Sequence, residues 1–454
     1  MSIRSGRNGR SLGAIGDASL SRRRLVQSGA ALGLTLPFSA GIASASAARP
    51  SVAHPSLSRA QGTQLTFFHD KDPWQDFFLQ MSELSTEQLD IGFEPVPYSD
   101  TTSYQQVVNS SLESGDTPDL ITWWSGYRLE GLYQSGGLLD VTDIWQERIA
   151  AGDVSETLAA GFTFEDRQWG IPQNAAYWVV FYNKRVFDEN GIGVPTTWDD
   201  FLAACETLKG AGVTPLYATV DGRWPAFIWF EEFLIRNDPD FYVELCEGRA
   251  SYTDETAVKA MEDWKALFDN EYFSALDIPM DSNFTGMFAN GEIAMIPIGT
   301  WFQQQFLAQD LVPGEDYDAF ILPNVNPDLD RNVMIIETGA IAIPAASANV
   351  DAAKELANWW MQTDAQTAWS NLLGDTPFNP NASVENPVLD GLVQTVGDNN
   401  YELLQRYWEA SPPAIVENAV DELARFMLNP GEAMSVLESI QAIAEEEWAR
   451  REEA

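Results

Sequence analysis

Residues 169–217, WGIPQNAAYWVVFYNKRVFDENGIGVPTTWDDFLAACETLKGAGVTPLY, constrain the fold more than any other stretch. Gly170-Ile171-Pro172 breaks the chain, and the apolar run Tyr177–Tyr182 has the length and the β-branched and aromatic content of a buried strand. Asn183-Lys184 turns into a short helix that Gly191 can stop. Thr197-Trp198-Asp199-Asp200 carries a capping-box pattern, in which Thr197 caps the next helix and Asp200 reaches back to it. Phe201, Cys205 and Leu208 recur at helical spacing, Gly210 and Gly212 close the helix, and a new strand starts at Val213. Strand, helix, helix, strand is an α/β unit.

The same alternation runs along the chain. Strands are predicted at Leu65–Phe68, Ile91–Val96 and Asp119–Trp123, with helices between them and a Gly-stopped helix over Leu129–Gly137. Ile335–Ile343 reads as a strand broken at Glu337-Thr338-Gly339. Helices are predicted over Asp351–Thr363, Gln366–Leu373, Tyr401–Trp408, Ala414–Leu428 and Ala433–Arg450. This alternation implies mainly parallel sheets, with ligands gathering at the carboxyl ends of the strands.

The net charge is −41 and acidic residues are spread along all 454 positions. Such a field repels nucleic acid and anionic membranes. It suits solubility in a salty medium, where screening tolerates self-repulsion. Sixteen tryptophans exceed the usual share, so most are expected in cores and the rest on a ligand face.

The first residues are basic, with Arg4, Arg7 and Arg10, and Ser21-Arg22-Arg23-Arg24-Leu25 precedes a weakly apolar Gly- and Ala-rich run. Ala43-Ser44-Ala45 and Ala45-Ser46-Ala47 offer small-x-small cleavage sites. The pattern resembles a twin-arginine export signal over residues 1–47, followed by a tether over 48–61. No cysteine precedes Cys205, so a lipobox is not expected, and the mature chain is expected free in a periplasm or the medium. Cys205 and Cys246 are compatible with one disulfide or with two buried thiols.

Taken together, "GDTPDL … W … L … SGGLLDVTD", "GIP … YNK … F … GI … PTTWDDF", "MFANGEIAM … GTW" and "LGDTP" resemble, in order, the extracellular solute-binding proteins of carbohydrate ABC importers, of the maltose-binding type. The resemblance covers roughly residues 63–445. It implies a two-lobed α/β periplasmic-binding-protein fold of type II, with hinged lobes and a ligand cleft between them. Lobe 1 would hold about 62–168 and 340–373, and lobe 2 about 172–336 and 377–454. A neutral sugar or short oligosaccharide would be captured by a monomer and passed to a membrane permease with its cytoplasmic ATPase. No cofactor is implied.

A sugar is held by aromatic faces against its C–H surface and by carboxylates, amides and hydroxyls on its OH groups. The resemblance places Trp124, Trp224 and Trp301 among the aromatic contacts. His69 and Asp70 end the first strand, Asn174 and Tyr177 follow the first crossing, and Glu337 marks the polar break. Asp221 and Arg223 can bond sugar hydroxyls or pair with each other.

Enzyme readings find little material. His54 and His69 are the only histidines, and one lies in the tether, which disfavours a Ser-His-Asp triad or a His-based zinc site. Two rivals remain. One is a polyamine-binding protein of the same fold, whose aromatic walls and carboxylates would cage an amine. The other is a secreted carbohydrate-active enzyme, which needs only two suitable carboxylates.

Overall fold

The computed structural model describes residues 62–453; the expected leader and tether lie outside the described residues. In chain order the strands are β1 (Thr63–His69), β2 (Ile91–Pro97), β3 (Leu120–Trp124), β4 (Thr163–Phe164), β5 (Arg167–Gln168), β6 (Ile171–Pro172) and β7 (Ala176–Asn183). They continue with β8 (Thr214–Leu216), β9 (Ile293–Gly299), β10 (Tyr317–Phe320), β11 (Val333–Glu337), β12 (Gly339–Ala342) and β13 (Glu402–Gln405).

Two sheets organise the chain. The first has the order β2-β1-β3-β12-β6, and the second β13-β11-β7-β9-β8, with β10 also paired to β7. β1, β2 and β3 run parallel, with helices Gln75–Leu89 and Thr101–Ser114 as crossovers. β7 is buried along its whole length, as a strand covered on both faces must be, which explains its unbroken apolar sequence.

The predicted unit after β7 forms as its chemistry requires. Helix Lys184–Asn190 ends at Gly191 with φ +67°, a left-handed conformation that glycine adopts without steric cost. Helix Trp198–Gly210 starts with a complete capping box: the Asp200 amide donates to Thr197 Oγ1 at 3.1 Å, and the Thr197 amide to Asp200 Oδ2 at 3.1 Å.

Two expectations are corrected. Tyr401–Trp408 is not a helix. Glu402–Gln405 pairs in register with Val333–Ile336 as β13, and a single helical turn, Tyr407–Ala410, follows. The parallel ladder pairs the backbone groups of this segment with β11, and it overrides local periodicity. The disulfide alternative is also overturned. Cys205 and Cys246 are both free and buried in separate helices, and burial pushes both thiols up.

The break at Glu337-Thr338-Gly339 is a passage between sheets. β11 ends at Glu337, opposite Ala176 of β7 in the second sheet; β12 begins at Gly339, opposite Trp124 of β3 in the first. The chain also passes from β6 to β7 through Gln173-Asn174-Ala175. A third passage follows helix Thr363–Leu373. Among the described residues, no helix is long and apolar enough to cross a membrane.

Candidate functional site: a wall of strand ends on each lobe

The registers decide where the site lies. Gly339 opposite Trp124 and Glu337 opposite Ala176 are only two residues apart, so the ends of both sheets face one another at this passage. β9 runs antiparallel to β7 with Gly299 opposite Trp178, which brings Thr300 and Trp301 to the same edge.

The lobe 1 wall is built on the ends of β1 and β3. Asp70 accepts from Thr122 Oγ1 at 3.1 Å and from Lys71 Nζ at 3.1 Å. The same ammonium lies 5.5 Å from the Trp124 ring and 5.8 Å from the Trp74 ring. Trp124 is half-buried and leans edge-on against the buried Trp123, which fixes it from behind. His69 is not on this wall. Its side chain turns into the core beside Phe67 and Phe78 and bonds Gln75 at 2.7 Å, and burial holds its pKa below the usual imidazole value. Strand alternation is the reason: neighbours on a strand face opposite ways, and position 69 falls on the side of the buried Leu65 and Phe67.

The lobe 2 wall gathers rings around one carboxylate. Glu337 Oε2 accepts from Trp301 Nε1 at 2.9 Å and Trp178 Nε1 at 3.3 Å, and pairs with Arg406 at 2.8 Å. Arg406 is buried and also pairs with Glu409. Burial alone would lower its pKa, but the two carboxylates outweigh it and the guanidinium stays charged. Trp224 lies 6.2 Å from Trp301 and 6.2 Å from Phe227, and Phe227 stacks at 5.9 Å on Trp408. Half of the sixteen tryptophans are fully buried; of the half-buried remainder, Trp74, Trp124, Trp224, Trp301 and Trp408 all stand on these two walls.

The expected alternative of an Asp221–Arg223 pair is corrected. Arg223 forks onto Asp421 at 2.7 and 2.8 Å, while Asp221 is exposed in the preceding turn. Position 223 has φ +64°, which points its side chain towards helix Pro413–Leu428 rather than back to residue 221.

Between the walls, the three passages are tied together by buried polar groups. Asn174 Nδ2 donates to Asp375 Oδ2 at 3.0 Å, and Asn174 Oδ1 accepts from the Gly339 amide at 3.3 Å. Thr300 Oγ1 donates to Asp375 Oδ1 at 2.5 Å and accepts from the Tyr177 amide at 3.0 Å. Burial pushes the Asp375 carboxyl up to about 6 against the pull of these donors, and burial likewise lifts the Tyr177 phenol to about 12. Asn174 and Tyr177 thus stand at the junction itself, both almost fully buried.

Several residues escaped the sequence reading. Lys71 and Trp74 sit in the polar stretch after β1 and carry no period of their own. Arg128 lies four residues past Trp124, on the helix Gly126–Gln134. Arg406 and Trp408 were hidden by reading their segment as a helix, although Arg406-Tyr407-Trp408 beside Pro412-Pro413 was the available signal.

Two walls of strand ends, joined by three passages and faced with aromatic rings, define a two-lobed binding protein. The chain belongs to the bacterial extracellular solute-binding protein family, which matches residues 90–367. It is 24% identical over 376 residues to an uncharacterized ABC transporter extracellular-binding protein of Pyrococcus horikoshii, covering 81% of this chain and 83% of that one. It is 25% identical over 258 residues to the diacetylchitobiose binding protein DasA of Streptomyces coelicolor, covering 55% and 58%. Among solved structures, the solute receptor AcbH, described with an exclusive preference for β-D-galactopyranose, superposes with a TM-score of 0.75 at 21% identity, over 85% of this chain and 99% of that one. A chitin oligosaccharide binding protein gives 0.70 at 19% identity, over 85% and 99%. These neighbours are binding proteins.

Proposed function

We propose that this chain is the exported substrate-binding component of an ABC importer, and that it captures a neutral sugar or short oligosaccharide between the two walls. One observation carries the ligand class: five half-buried tryptophans converge there, while three of the acids beside them already have cationic partners. Asp70 pairs with Lys71, Glu337 with Arg406 and Glu417 with Arg128. A polyamine site would need uncommitted carboxylates, so the pairing favours a neutral ligand. The names of the relatives point the same way. We propose no catalytic role.

In this reading the rings cover the apolar face of the sugar, and Asp70, Glu337 and Tyr177 offer groups to its hydroxyls. Ligand contacts on both walls favour the closed arrangement only by the difference in affinity between closed and open forms. The lobes would move as bodies about the passages near 172–176, 337–339 and 374–379. A membrane permease and its ATPase receive the sugar, and the mature chain acts as a monomer outside the cytoplasm.

Calorimetry against a panel of neutral saccharides and polyamines, at low and high salt, tests the proposal. A saccharide that binds one-to-one with little change across salt supports it. Binding confined to polyamines, weakening steeply with salt, would replace it with the rival ligand class. New reducing ends after incubation with oligosaccharides would replace it with the enzyme reading.

A further inference from the structure

We propose that Arg128 is an interlobe clasp, a positioning residue that sets the affinity of the site by fixing how often the two walls are joined. Its ligand readout rests on the carbohydrate reading above; the clasp itself does not. Arg128 sits on lobe 1 and is buried, with a side chain 6% exposed. Its guanidinium lies between two rings, 5.6 Å from Trp124 of lobe 1 and 4.2 Å from Trp408 of lobe 2. Nε donates to the Trp408 carbonyl at 3.3 Å and NH2 to Glu417 Oε1 at 2.7 Å. One side chain therefore makes a stacked contact, a backbone bond and an ion pair to lobe 2.

The surroundings are shaped for this approach. Trp123 Nε1 donates to the Arg128 carbonyl at 3.0 Å and anchors the residue to its own lobe. At Gly126, with φ +60°, a Cβ would meet the Glu409 carbonyl oxygen at 2.2 Å, so only glycine lets the two lobes come this close. On the far side, Glu417 shares a helix face with Asp421, one turn on. Arg223 forks onto Asp421 and also donates to the Glu417 carbonyl at 2.9 Å.

Arg223 occupies a tight turn in which the Trp224 amide donates to the Gly222 carbonyl at 2.8 Å, a strained conformation for a residue with a side chain. Its fork onto helix Pro413–Leu428 holds that turn, and with it Trp224. The helix is thus gripped by Arg128 from lobe 1 and by the Trp224 loop from lobe 2. Lysine could not replace Arg128, because a compact ammonium lacks the planar fork that lies against the ring faces while its spaced N–H groups reach the Trp408 carbonyl and Glu417.

If only the joined form binds tightly, apparent affinity falls in proportion to the joined fraction. Spin labels at Ser99→Cys and Asp277→Cys would report that fraction directly. Both sites are exposed at the strand-end side of the outer strands, and both native cysteines are buried. Arg128→Met should shift the distance distribution to longer separations before any ligand is added, and raise the Kd of the best saccharide about 30-fold, the scale of a desolvated cation–ring contact. Arg128→Lys should behave like Arg128→Met. Glu417→Gln should shift the distances the same way by a smaller amount, and adding it to Arg128→Met should change nothing more.

Should Arg128→Met fold poorly, the half-exposed Glu417→Gln decides alone. Unchanged distances in Glu417→Gln and in any folded Arg128 variant would overturn the clasp. Lost saccharide affinity with unchanged distances would overturn it too, and make Arg128 a direct ligand contact. If no saccharide binds, the distances still decide the clasp, and the carbohydrate reading fails separately.

Discussion

Replacing Gly299 by alanine should misplace the lobe 2 ring without replacing any side chain that meets a ligand. Gly299 ends β9 with φ −64° and ψ 147°, which alanine adopts freely, so the backbone does not resist. The new Cβ would lie 2.3 Å from Trp301 Nε1 and 2.8 Å from its Cδ1. To regain ordinary van der Waals contact the indole must retreat by about 1 Å. That breaks its 2.9 Å bond to Glu337 and tilts the ring away from Trp224, its neighbour at 6.2 Å. Loss of a dominant aromatic contact is worth about 2 kcal/mol, or on the order of 30-fold in Kd. The melting temperature should change little, because the ring is half-buried and leaves no sealed cavity. Calorimetry with the best saccharide, beside a thermal melt, reads both quantities. Wild-type affinity in Gly299→Ala would show that Trp301 does not contact the ligand. A collapsed melt would show that the ring is part of the core.

Further predictions follow from other residues. Asp375 titrates near 6 when folded against 3.8 for an ordinary aspartate, so between those values only the folded state holds the proton. Stability should therefore fall as pH rises from about 4 to about 6, by at most on the order of 3 kcal/mol. Asp375→Asn should flatten that window in thermal melts, and an unchanged pH slope would refute the assignment. Trp124→Ala should weaken saccharide binding by about 2–4 kcal/mol with the melt preserved; a lost fold would place the ring in the core. With a net charge of −41, the melting temperature should rise with added salt, and a flat response would remove the halophilic interpretation. Export should depend on the arginine pair, so that Arg22→Lys with Arg23→Lys leaves precursor in the cytoplasm; normal export would count against a twin-arginine signal.

The fold was legible where local chemistry and tertiary context agree. β7 announces itself because a strand covered on both faces needs an unbroken apolar run, and Thr197 with Asp200 because a capping box is wholly local. β13 was not legible: its Leu-Leu pair fits a helix equally well, and only the distant β11 decides between them. The same split runs through the site. Trp124 and Glu337 close strands and Trp301 comes just after one, so that rule points to all three as candidates. His69 follows the same rule and fails it, because one step along a strand reverses the facing. Arg128 and Glu417 are 289 residues apart, and nothing in either segment points to the other. The alternative of an Asp221–Arg223 pair fails for a related reason. The left-handed backbone of Arg223, invisible in the sequence, turns it from the nearby Asp221 to Asp421.

A crystal structure of the mature chain with the best-binding saccharide shows directly where the sugar sits. The sugar should lie at the passage between the sheets, with a ring face against Trp301 or Trp224 from lobe 2, and Trp124 on the opposite side. A saccharide bound elsewhere would contradict the central claim. The obvious alternative is the cavity of about 850 Å³ in lobe 2 lined by Trp198, Arg236, Phe320 and Tyr401, at the opposite end of β11 from Glu337.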